Sequence, residues 1–114
     1  MKTQLTIEQS KHLIELGVPK EKASIPLDYI DVIYPNIFIF TLIDLLEILP
    51  KEIYIFDTPY YLNMVKTPKY SECFYACCNI RYIIEGFNKS DELIDALYKL
   101  FIWAFENNYI SWKN

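Results

Sequence analysis

All three cysteines of the chain fall at positions 73, 77 and 78, inside the stretch YSECFYACCNIRYIIEG (residues 70–86). Thiolates hold zinc and exchange disulfides, so a metal or redox site is the first chemistry to test. The spacing C-x3-C-C argues against zinc, because structural zinc sites draw on two short ligand pairs and this chain offers no second pair. In an extended strand, side chains alternate between faces. Cys73, Tyr75, Cys77 and Asn79 then share one face, and Phe74, Ala76, Cys78 and Ile80 share the other. Adjacent Cys77 and Cys78 point apart and cannot hold one ion without a bulge. Unpaired cysteines behave as small buried hydrophobes. The expectation is a strand with Cys78, Phe74, Ala76 and Ile80 in the core, and with Cys73, Tyr75 and Cys77 on an outward face.

His12 is the single histidine and the one side chain with an ordinary pKa near neutrality. It has no nucleophile motif to serve. The carboxylates group as Asp28/Asp31, Asp44/Glu47 and Asp91/Glu92/Asp95. The last two sets sit at helix starts, where capping and the helix dipole explain them. Asp95 and Lys99 form an i,i+4 pair in the favourable order. Asp28/Asp31 lacks the glycine and repeated oxygens of a calcium loop. With two glycines in the chain, Gly17 and Gly86, phosphate-cradling loops are absent. No catalytic residue, metal or cofactor is expected, and the chain reads as a non-enzyme.

Three helices and a set of strands must position these residues. Thr6 with Gln9 forms a capping box for IEQSKHLIEL, and Gly17 followed by Pro19 ends that helix. Val18 is placed to touch Leu13 across the cap, and KEKAS is placed to add a further turn. Pro26 and Pro35 break the next stretch into short edge strands, around Tyr29–Tyr34 and Ile37–Ile39. Thr41 and Asp44 open TLIDLLEILP, whose apolar stripe is Leu42, Leu45, Leu46 and Leu49 and whose stop is Pro50. Strands follow around Ile53–Phe56, Tyr60–Lys66 and Tyr70–Asn79, the last two joined by the turn-like TPK. A long C-terminal helix starts at Ser90 as N-cap, runs through DELIDALYKLFIWAFEN and frays at Asn107–Asn108. Its apolar arc exceeds half its circumference, more than one sheet face covers. The fold class is α+β: a single domain over residues 1–114, with a small antiparallel sheet (a hairpin plus short strands) packed by about three helices.

Composition bounds the function. A chain of 114 residues with 53% hydrophobic and 23% charged residues forms one globular core. No apolar run reaches the ~20 residues of a bilayer span, and MKTQLTIEQS lacks the apolar stretch of a secretory signal. A cytoplasmic protein with no membrane partner, and with no disulfide, is the simplest expectation. A net charge of −4 and a single arginine, Arg81, set it against phosphate backbones. Aromatic residues reach 17%, with ten tyrosines, more than a core of this size hides. Tyr60, Tyr61, Tyr70, Phe74, Tyr75 and Tyr82 could stack on bases only beside a positive groove.

The segments LTIEQSKHLIELGV, FTLIDLLEILPKEI and SDELIDALYKLFIWAFENNYI resemble a group of small proteins encoded by prophages and mobile elements of gut Bacteroidales. The central segment is the most specific, and Asn108 stands where that group has glycine. The group has no assigned activity, so the resemblance implies a genomic setting and transfers no site residues. The expected function is that of an accessory protein acting through protein–protein contacts, self-association included. Its interface candidates are Tyr98, Ile102 and Trp103 on the last helix, with Tyr61 and Tyr75 on the outward sheet face. The alternative is a nucleic-acid-interacting accessory factor of a mobile element, using Lys66, Lys69 and Arg81 around the hairpin.

Overall fold

The computed structural model describes residues 2–26, 38–77 and 84–110, with backbone alone at 25–26 and 84–87. Tyr29–Tyr34, Asp28/Asp31, Cys78, Ile80, Arg81 and Tyr82 therefore lie outside the described residues. Helix α1 (Ile7–Glu15) opens on the expected box: the Gln9 amide donates to the Thr6 hydroxyl at 3.1 Å, and the Thr6 amide donates to the Gln9 side chain at 3.0 Å. It closes on Gly17 at φ 109°. There the Gly17 amide reaches Ile14 O at 3.0 Å and the Val18 amide reaches Leu13 O at 3.1 Å. This is a complete Schellman cap, with Val18 and Leu13 both buried beside it. Lys20–Lys22 adds one short 3-10 turn.

Two-residue strands β1 (Ile25–Pro26) and β2 (Phe38–Ile39) pair antiparallel. Helix α2 (Leu42–Ile48) again has a capping box, from Thr41 and Asp44, and stops before Pro50. The segment before α1 runs alongside its entry: the Leu5 amide donates to Phe40 O and the Leu42 amide to Thr3 O, both at 2.9 Å.

The main sheet is a four-stranded antiparallel meander of β3 (Glu52–Ile55), β4 (Thr58–Lys66), β5 (Ser71–Ala76) and β6 (Ile84–Ser90), in that order. The turn between β4 and β5 is set by Thr67. Its hydroxyl accepts from the Tyr70 amide at 3.0 Å, and its amide donates to Tyr70 O at 2.8 Å. Helix α3 (Leu93–Glu106) packs on β5 and β6 and against α2. Among the described residues this is an α+β fold with three α-helices.

Three expectations are corrected. First, Ile84–Ser90 is a strand, and Ser90 pairs with Ser71 instead of capping a helix. Helix α3 begins two residues later than expected, at Leu93 with Glu92 as N-cap, and Glu92 makes no side-chain cap bond. From Cys73↔Asn88 to Tyr75↔Glu85, β5 advances two residues and β6 three. The extra residue lies in the part of β6 that contains Gly86, where a bulge breaks the alternation that would have marked the strand. Second, the outward face expected for β5 is its core face: Cys73, Tyr75 and Cys77 are buried under α3. On the opposite face Ala76 is buried as expected, while Phe74 is half-exposed. Tyr75 can occupy the core because its hydroxyl donates to Pro50 O at 2.7 Å, so the polar tip is satisfied. Third, the end of α3 falls at Asn107–Asn108 as expected, and it is a hydrogen-bonded turn. Asn108 takes φ 66°, with its amide on Phe105 O at 3.1 Å and the Tyr109 amide on Ala104 O at 2.9 Å. Asparagine tolerates the left-handed conformation and fills the glycine role.

Candidate interaction surface

Strand β3 turns into β4 through two residues, Phe56 at φ 49° and Asp57 at φ 67°, flanked by the pair Ile55↔Thr58. Two positive φ angles in a two-residue hairpin define a type I′ turn, which favours Asn-Gly because most side chains crowd the left-handed region. A phenylalanine there is unfavourable on backbone grounds by about 1 kcal/mol or more. Its side chain is also 97% exposed. Local strain and a bare aromatic ring coincide at one residue.

The face of the sheet turned away from α3 continues from this tip. The register places Tyr54 beside Pro59 and Glu52 beside Tyr61, with Tyr61 beside Ala76 and Val65 beside Glu72. Paired residues of an antiparallel ladder point to the same side, so these share one face. Tyr54 is 59% exposed, Tyr61 40% and Val65 42%. Strand β3 also forms an edge of the sheet. The Leu62 amide donates to Lys51 O at 2.9 Å, and antiparallel ladder bonds fall on alternate pairs. The pairs Ile53↔Tyr60 and Ile55↔Thr58 therefore bond to β4, whereas Glu52 and Tyr54 turn their main-chain groups outward. Among the described residues, β4 is the one strand paired with β3.

The interface candidates from the sequence are not gathered on this surface, Tyr61 excepted. Tyr75 is fully buried. Tyr98, Ile102 and Trp103 are half-buried and packed against the core. Tyr98 Oη lies 2.6 Å from His12 Nδ1, and burial raises its pKa. The Trp103 ring tilts against Tyr75 at 6.2 Å and stacks on Tyr109 at 5.3 Å. Phe56, Tyr54 and Val65 were missed, as was Ile43, which is 66% exposed on α2. A two-residue spacer between EIYI and TPYY is the sequence signal for the hairpin tip, masked because Phe-Asp is not a turn dipeptide.

The groups first considered for chemistry are occupied structurally. Burial pushes the Cys73 thiol up to about 12, the opposite of a reactive thiolate. Asp44 is buried and accepts from the Thr41 amide and the Ser24 amide, each at 2.8 Å, and from the Ser24 hydroxyl. Asp95 binds Lys2 at 2.9 Å and Gln9 at 3.3 Å. Lys99 reaches Lys89 O at 3.1 Å instead of pairing with Asp95 as expected. Among the described residues no group of three His, Cys, Asp or Glu side chains is arranged to hold a metal ion, and no helix is long and apolar enough to cross a membrane. Of the lysines weighed for nucleic acid, Lys66 and Lys69 flank the β4–β5 turn, and the nearby Lys89 sits over the Tyr70 ring at 3.8 Å. Comparison with family models, with curated proteins and with solved structures returns no match to this chain.

Proposed function

We propose that the protein is a non-enzymatic accessory protein that works through protein–protein contacts, self-association included, and that the β3–β4 hairpin with its aromatic face makes the contact. The observation that carries this reading is Phe56: an aromatic ring 97% exposed on a residue held at φ 49°. Strained, solvent-facing aromatic positions are unfavourable in an isolated chain and become favourable when a partner covers them. Tyr54 and Tyr61 beside it are of the type that supplies large, partly polar contact area. Light scattering coupled to size exclusion, over a concentration series from 1 to 500 µM as an order-of-magnitude range for weak to tight pairs, tests it. Association that weakens at least tenfold in Phe56→Asp is expected. A monomer throughout the series would remove the self-association half of the reading.

A further inference from the structure

Resting on that reading, we infer that two copies join edge to edge through β3, antiparallel and in a register centred on Ile53, to give one continuous eight-stranded sheet. The edge groups themselves select this partner and register. Glu52 and Tyr54 turn their amides and carbonyls outward, and a two-fold axis at Ile53 sets Glu52 of one copy opposite Tyr54 of the other. Both such pairs then exchange two ladder bonds, four in all, with Ile53 facing Ile53 in the close, non-bonded position. The neighbouring in-phase registers fail on this chain's own residues. Centring on Glu52 sets two carboxylates directly opposite each other and pairs Tyr54 with Pro50, which has no amide hydrogen. Centring on Tyr54 pairs Glu52 with Phe56, where the strand has already turned into the left-handed region.

The Ile53 register keeps odd-numbered residues of both copies on the α3 side, so the two cores lie on one face and the two aromatic faces on the other. Tyr54 then lies across from Glu52, Tyr61 lies one strand in, and Phe56 falls opposite Pro50 of the second copy. Lys51 falls opposite Ile55, one diagonal step from the Asp57 turn, which places opposite charges at both ends of the seam. Among the described residues, a second copy supplies ladder partners for the main-chain groups that Glu52 and Tyr54 turn outward.

Disulfide trapping reads the register directly. Glu52→Cys and Tyr54→Cys both lie on the exposed face, and in this arrangement their Cα atoms sit about 5.5 Å apart across the seam, within bridging range. Like positions are diagonal, about 7–8 Å apart, and too far. Mixing E52C with Y54C under mild oxidation is expected to give a cross-linked dimer, mapped by mass spectrometry to 52–54, while neither variant alone links through its new thiol. A dimer by light scattering without the 52–54 link, or with 52–52 or 54–54 links instead, overturns the register and leaves the contact-protein reading standing. A monomeric protein overturns this dimer together with the self-association half of that reading. Tyr54→Pro provides a second measure, since it deletes the outward amide while leaving the bonds to β4 intact. It is expected to weaken the dimer tenfold or more beyond Tyr54→Val, which loses the ring and keeps the amide; equal association in both overturns the seam.

Discussion

The Tyr75 hydroxyl donates to the carbonyl of Pro50 at 2.7 Å, tying the middle of the sheet to the segment between α2 and the edge strand β3. Tyr75 is fully buried, so this bond works in a low-dielectric setting where an unmatched partner is expensive. Tyr75→Phe keeps the ring against Trp103 and strands the Pro50 carbonyl. It is expected to lower unfolding free energy by about 1–2 kcal/mol, read as a shift in urea midpoint at unchanged slope.

Asp44 is the second polar anchor. Its carboxylate caps α2 and also takes the amide and hydroxyl of Ser24, fastening the end of the α1 region to the start of α2. Hydrogen bonds to a charged acceptor contribute about 1.5–3 kcal/mol each when one partner is removed, and the cap itself about 1 kcal/mol. Asp44→Ala should cost about 3 kcal/mol or more in denaturant titration, and Asp44→Asn less, since the amide oxygen still accepts. Equal effects of the two would place the loss in packing and not in the bonds.

What was legible in the chain was local. Thr6 with Gln9, Thr41 with Asp44, and Gly17 before Pro19 each specify a helix end through neighbours in sequence, and all three appear as expected. The strands around Ile53, Tyr60–Lys66 and the TPK turn were legible for the same reason. Strand β6 was not, because its bulge near Gly86 removes the period-two pattern. The inward face of β5 was not either: alternation shows that Cys73 and Tyr75 share a side, and only the Pro50 carbonyl, brought in by tertiary structure, makes that side a tolerable home for a tyrosine. Phe56 illustrates the same limit at the interaction surface. Its exposure and positive φ follow from the hairpin register, which residue types alone do not specify.

Buried acids predict how stability responds to alkali. Folding raises the Cys73 thiol from 9.0 to about 12, and burial raises the Tyr75 and Tyr98 phenols as well. Each group keeps its proton longer in the folded chain than in the unfolded one. Above pH 9 the unfolded state therefore binds fewer protons, and unfolding free energy falls as pH rises. Stability should be flat in these groups below pH 9 and decline between pH 9 and 12. In the same range Cys73 should resist alkylation until denaturant is added. Cys73→Ala should show a shallower decline, and an unchanged slope would assign the loss to the tyrosines alone.

Phe56 gives the sharpest separation of folding from contact. Replacing it with glycine removes the crowding of a left-handed Cβ at the first turn position, and exposure leaves no buried area to lose. Phe56→Gly is therefore expected to raise the unfolding free energy by about 0.5–1 kcal/mol when measured at concentrations below dimer formation. The same change deletes the ring that falls opposite Pro50 of a second copy, so association should weaken in a concentration series by light scattering. Opposite signs in the two measurements mean that the aromatic is retained at this turn against its own folding preference, as residues serving a partner are. A variant that is less stable as a monomer would show that the ring packs within the chain, and one that associates as tightly as wild type would move the contact elsewhere on the sheet.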